Sequence, residues 1–235
     1  MIDIQTMIVK KYKARIETIE SNIKGVYTLT FSADGKKFRY SPGQFLHIAI
    51  DAEYDGSGQW PESRCFSIQT SPEEEYLKIT YAVKGEFTKK MEKELTVGKE
   101  VWLKMPYGEL FELRHDTNNT VFISGGTGIT PYLSLFTDSS FAKYKNPVLY
   151  AGYRNKDFNI YKEELGKASI INPEFKVHNV YEDKDGMLNI DKIYKDNGNT
   201  PSYFISGPPA MIKLFKQRLI TFGVPETKIF TDEWE

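Results

Sequence analysis

Three glycines lie within the segment Ser124-Gly125-Gly126-Thr127-Gly128-Ile129-Thr130-Pro131, directly after the apolar run Val121 to Ile123. Glycine lets a backbone turn sharply and approach a ligand with no Cβ in the way. Thr130 suits the cap of a following helix and Pro131 its first turn, so the loop would bring free N–H groups and the positive end of a helix dipole to one spot. A pyrophosphate fits such a spot, and a glycine-rich turn without a ligand is the competing reading. A second turn, Ser206-Gly207-Pro208-Pro209, separates the apolar run Tyr203 to Ile205 from an amphipathic stretch. Its two prolines lack N–H donors, which suits a pocket wall better than a phosphate cradle.

The first half of the chain offers a different chemistry. Arg64-Cys65-Phe66-Ser67 presents a cation, a ring and a hydroxyl. Extended, it puts Arg64 and Phe66 on one strand face and Ser67 on the other. Guanidinium grips phosphate, and a ring stacks on a flat heterocycle. Tyr81-Ala82-Val83-Lys84-Gly85-Glu86-Phe87-Thr88 then runs from strand to helix, a second candidate anion site at a helix N-terminus.

Two kinds of element must position these residues. Up to about Arg114 the apolar residues alternate in short runs (Lys13 to Ile19, Val26 to Phe31, Gln44 to Ile50, Tyr76 to Val83, Glu100 to Lys104) separated by turn-formers. That rhythm predicts an antiparallel β-barrel over residues 1–114. One helix interrupts it at Glu86 to Leu95, where Phe87, Met91 and Leu95 recur every fourth residue. The polar run His115 to Asn119 reads as the linker. From residue 120 to 235 strands are expected at Val121 to Ser124, Val148 to Tyr153, Phe175 to Val180, Tyr203 to Ser206 and Ile229 to Thr231. Helices are expected near Pro131 to Phe141, Asn159 to Leu165 and Ala210 to Phe222. The alternation predicts a doubly wound parallel sheet, in which both glycine turns lie at strand carboxyl ends, where ligands bind.

Composition narrows the function classes. A net charge of -1 disfavours a nucleic-acid partner. The single cysteine, Cys65, excludes a disulfide framework and a cysteine-ligated iron–sulfur cluster within these residues. His47, His115 and His178 lack ligand-like spacing, so no metal site is expected. Met1 to Lys13 has no apolar stretch of signal-peptide length, and no segment approaches the roughly 20 apolar residues of a membrane helix. A cytoplasmic protein is expected.

Taken in order, the motifs resemble those of the ferredoxin–NADP reductase superfamily. Pro42-Gly43-Gln44 is similar to its barrel signature, Arg64-x-Phe66-Ser67 to its Arg-x-Tyr-Ser flavin motif and Gly85-x-x-Thr88 to its flavin pyrophosphate loop. Pro106-Tyr107-Gly108 resembles the barrel-closing turn, Gly126 to Pro131 the nicotinamide-nucleotide loop, and Ser206 to Pro209 the family's Cys-Gly-Pro-Pro turn. Two residues depart: Phe66 keeps the ring but loses a phenol, and Ser206 replaces a thiol.

The resemblance implies a flavin-binding barrel followed by a nicotinamide-nucleotide domain, with hydride passing from NAD(P)H to FAD and electrons then to an external acceptor. FAD is favoured over FMN by the pyrophosphate-like loop. Arg64, Phe66, Ser67, Val83, Lys84, Gly85 and Thr88 would hold the flavin. Gly126, Thr127, Gly128, Ile129, Thr130, Pro131, Ser206, Gly207, Pro208 and Pro209 would hold the nucleotide. Ser67 would hydrogen-bond near the reacting flavin nitrogen, and the C-terminal Trp234 would either gate the flavin face or pack in a crevice between the two domains as structural glue. Arg154 with Lys156 favours NADPH slightly, against the carboxylates of Tyr181-Glu182-Asp183. The implied acceptor is a separate protein such as ferredoxin, flavodoxin or an oxygenase component, or a small molecule such as ferric chelate, quinone or free flavin. A nucleotide-binding regulatory subunit without turnover is the rival.

Overall fold

A computed structural model describes residues 8–33 and 35–232, and Trp234 therefore lies outside the described residues. The chain divides into two units, Met1–Glu109 and Leu110–Glu235.

The first unit is a nearly closed antiparallel barrel. Its strands are β1 (Lys10–Ile23), β2 (Val26–Ser32), β3 (Phe45–Ala49), β4 (Ser63–Ser67), β5 (Leu77–Ala82) and β6 (Glu100–Tyr107), in the order β4-β3-β6-β1-β2-β5. Strict alternation makes β1 two-faced: Tyr12, Ala14 and Ile16 are buried while Lys11, Lys13 and Arg15 face water. β1 pairs with β6 through its first half and with β2 from Arg15 onward, and the register shift between Ile16 and Thr18 marks where it bends. The end strands approach where the Gln69 amide donates to the Lys78 carbonyl at 2.9 Å. Helix α1 (Glu86–Glu94) covers the core with Phe87 and Met91, followed by Leu95, as the four-residue spacing predicts.

The second unit is a parallel sheet of β7 (Thr120–Gly125), β8 (Val148–Tyr153), β9 (Lys176–Tyr181), β10 (Ser202–Ser206) and β11 (Ile229–Thr231), in the order β11-β10-β7-β8-β9. Helices cover both faces, which is why its central strands are apolar on both sides. α2 (Thr130–Phe136) and α3 (Lys162–Ile171) share an aromatic core with Phe122, Phe204 and Phe230. On the other face, α5 (Ile190–Asn197) and α6 (Pro209–Thr221) pack on Val121, Ile123, Tyr203 and Ile205. The short α4 (Glu182–Asp185) completes the set.

Several boundaries differ from expectation. The helix expected over Pro131 to Phe141 stops at Phe136. Asp138 then accepts from the Ser140 amide and opens a separate 3-10 turn. The helix expected at Asn159 to Leu165 begins at Lys162, because Asn159 is committed to Tyr181, its Nδ2 donating to the phenol oxygen at 3.2 Å. Residues 110–119 are part of the second unit: Leu110 joins its aromatic core, and His115 Nε2 lies 2.6 Å from Tyr144 Oη.

Candidate functional site

In the barrel unit the motif residues gather where β4 and β5 face each other. β3 pairs Ile48 with Arg64 and Leu46 with Phe66, and it pairs Phe45 with Ser67. Arg64 and Phe66 therefore share the face of two buried aliphatic side chains, and Ser67 takes the opposite face, as extended geometry requires. The Phe66 ring packs on Tyr81 of β5 at 5.9 Å, and the Arg64 guanidinium lies over the Phe87 ring of α1 at 5.5 Å. That cation is exposed, with one donor used on the Ser63 carbonyl at 3.0 Å. It can still reach a phosphate.

The turn into α1 is built by Thr88. Its hydroxyl accepts from the Lys84 and Gly85 amides at 2.9 and 3.0 Å and donates to the Gly85 carbonyl. Those two amides are thus used internally. The cradle left for an anion is the N–H groups of the first turn of α1, beside Gly85, whose missing Cβ faces open space. Val83 packs at the edge of the barrel core. An exposed guanidinium, a half-buried ring and an open helix start fit a phosphate-bearing planar cofactor.

In the second unit the two glycine turns touch. A Cβ on Gly128 would lie 2.5 Å from the Gly207 Cα and 2.6 Å from its nitrogen. Gly207 itself has φ +150 and sits against Gly125 and Met211. Gly126, at φ +56, has nothing within 4 Å of its missing Cβ. Closed behind and open in front, the pair leaves bare backbone at the carboxyl ends of β7 and β10, adjacent strands where the sheet order reverses. Residues Gly126–Ile129 form a 3-10 turn before α2. Thr130 does not cap that helix; its hydroxyl donates backwards to the Thr127 carbonyl at 2.9 Å. Pro131 does occupy the first turn, and Pro208 and Pro209 open α6.

A buried polar row runs beneath these turns. Ser124 and Ser206 are in register on β7 and β10, and Asp232 follows Thr231, the partner of Ile205. Ser206 Oγ donates to Asp232 Oδ2 at 2.9 Å. The Ser124 hydroxyl is buried with no protein partner, an orphan of the kind a bound ligand satisfies. Burial raises the Asp232 carboxyl to about 7, partly offset by the Ser206 bond. Burial also pushes the Tyr132 phenol well up, with the charge of Asp232 adding to it. Asp232 escapes a sequence reading because an acid near a chain end looks solvated. The available signal is its place immediately after an apolar strand.

Arg154 follows β8 with its guanidinium over the Phe158 ring at 5.5 Å. Its carbonyl accepts from the Asp183 amide at 3.2 Å, which ties the cationic turn to the acidic one. Among the described residues no group of three or more His, Cys, Asp and Glu side chains could hold a metal, and no helix is long and apolar enough to cross a membrane.

Residues 122–217 match the oxidoreductase NAD-binding domain family. A ferredoxin NADP+ reductase from Neisseria gonorrhoeae, solved with FAD and NADP, superposes with a TM-score of 0.76 at 18% identity, over 95% of this chain and 98% of that one. The chain therefore shares that reductase's two-domain fold, an antiparallel barrel followed by a parallel sheet with helices. Two curated proteins are similar in sequence. The electron transfer subunit of dihydroorotate dehydrogenase B (NAD(+)) from Caldanaerobacter subterraneus subsp. tengcongensis is 33% identical over 70% of this chain and 61% of its own length. Flavohemoprotein A from Dictyostelium discoideum is 27% identical over 84% of this chain and 53% of its own length. The chain thus spans little more than half the length of these two curated relatives.

Proposed function

We propose that the chain is an NAD(P)H-dependent flavoprotein reductase that binds FAD in its first unit and the nicotinamide nucleotide in its second. The contact of Gly128 with Gly207 carries this reading, because it strips side chains from the strand ends where a dinucleotide needs close backbone approach. When bound, the nicotinamide supplies a hydride and the flavin takes it up and releases electrons singly. The chain's own residues bind and orient. Arg64 and the first turn of α1 hold phosphate, Phe66 lies along the ring system, and Ser67 offers a hydroxyl to it. Gly126 and its neighbours admit the nucleotide phosphates, and Ser124, Ser206 and Asp232 order the strand ends beneath them. Electrons then leave to a separate acceptor. The likeness to an electron transfer subunit supports a protein acceptor, for which ferredoxin, flavodoxin and an oxygenase component are the candidates. Anaerobic addition of NADPH or NADH to the purified yellow protein tests the reading: the flavin bands bleach within seconds. A flavin-loaded protein whose spectrum neither nucleotide changes would make it a binding or regulatory subunit instead.

A further inference from the structure

One contact in the barrel unit ties together the elements that the flavin reading needs in register. Arg64 and Phe66 stand on β4, and the phosphate cradle stands at the start of α1; β4 pairs as a strand only with β3. The ring path between them runs through β5 and β2. Phe66 packs on Tyr81 at 5.9 Å and 55°, and Tyr81 stacks on its cross-strand partner Tyr27 at 5.5 Å and 25°. The Tyr27 hydroxyl then donates to Glu92 Oε1 of α1 at 2.8 Å. Glu92 lies nearly two turns beyond the cradle on the same helix. Beside the Arg64–Phe87 contact and the packing of Phe87 and Met91 in the core, Tyr27 adds a directed link between barrel and helix: its ring belongs to the barrel stack and its hydroxyl bonds the helix.

We propose that the Tyr27–Glu92 hydrogen bond is a positioning device for the flavin, fixing α1 against the Tyr81–Phe66 ring pair so that cradle and ring platform meet one cofactor. This rests on the flavin reading above. The bond keeps the proton on the phenol: Glu92, chiefly through this hydrogen bond, raises the Tyr27 hydroxyl above its ordinary value, so Tyr27 stays the donor throughout the neutral range. Phe66, which lacks a phenol of its own, depends more on its neighbours for orientation. Tyr27 is a positioning residue, acting on the cofactor only through Tyr81, Phe66 and α1.

A double-mutant cycle on the flavin-loaded protein tests this, with Tyr27→Phe, Glu92→Ala, Glu92→Gln and the Tyr27→Phe, Glu92→Ala pair. Tyr27→Phe keeps the ring stack and loses only the donor. The readouts are the FAD dissociation constant by fluorescence, the visible circular dichroism of bound flavin, and the melting temperature. Tyr27→Phe and Glu92→Ala should each weaken FAD about fivefold and alter the flavin dichroism, with the pair no weaker than either alone. Glu92→Gln, whose amide oxygen still accepts, should restore both. Variants that melt earlier yet keep the wild-type dissociation constant and dichroism would overturn the proposal, as would fully additive losses. An unaltered protein that binds no FAD would overturn the flavin reading itself, and that is visible before any substitution is made.

Discussion

In the barrel unit the candidate site is assembled from side chains on three elements, Arg64 and Phe66 of β4, Tyr81 of β5 and Thr88 of α1. In the sheet unit it is backbone, exposed where Gly128 meets Gly207 and side chains are missing. A site made of side chains should lose its contacts singly and in proportion. A site made of absent side chains should fail at once when one is added, because the neighbouring backbone has nowhere to go.

The sharpest break is Gly128→Ala. The three atoms nearest its Cβ would be backbone atoms of Ser206 and Gly207, all within 2.7 Å. We expect a loss of about 3 kcal/mol in stability and no measurable nucleotide binding, with flavin content retained. Urea unfolding and calorimetric titration with NADPH check this, and retained nucleotide affinity would mean that the contact does not shape the site.

Next is Asp232→Asn. Burial holds the Asp232 carboxyl at about 7 in the folded chain, against an unfolded value of about 4. The folded state therefore binds the proton more tightly, so the stability is complete below about pH 4 and is lost as pH rises through about 7. The asparagine variant should remove this slope. Urea midpoints between pH 4.5 and 7.5 report it, and parallel curves for the two proteins would show that the carboxyl is hydrated.

Arg64→Ala comes third, with flavin held about thirtyfold more weakly, as for one lost charge-assisted phosphate contact. Unchanged flavin affinity would remove Arg64 from the site. Smallest is Arg154→Ala. Because Asp183 is tied to the same turn, discrimination should be modest, NADPH leading NADH slightly, and the variant should erase that lead. Steady-state specificity constants settle it: a hundredfold preference for NADH in the unaltered protein would place Arg154 away from the ribose.

The same contrast explains what could be read beforehand. Alternation exposed β1, β2, β3 and β5, and the glycine turn was plain because glycine is informative by its type alone. β4 was harder, since Ser63 to Ser67 has almost no apolar rhythm and is a strand only because β3 pairs with it. α5 has its signals, Asn189 accepting from the Lys192 amide and Gly198 after the last turn, but only Ile190 and Ile193 mark its buried face. The start of α3 was set by a side-chain bond from a distant strand, and the Ser206–Asp232 bond joins residues 26 apart. Local pattern carries neither.

The parallel register gives the sheet unit a stratified construction. Phe122, Phe204 and Phe230 stack face to face across three neighbouring strands, with centroids 5.4 and 4.7 Å apart, and two residues further along come Ser124, Ser206 and, just past the end of β11, Asp232. Each stratum is a unit of composition, oily below and hydrophilic at the rim. The residues that must change together are those side by side across the strands, so a graft that exchanges whole strata should be tolerated where a graft of one strand would leave a phenyl ring beside a carboxyl.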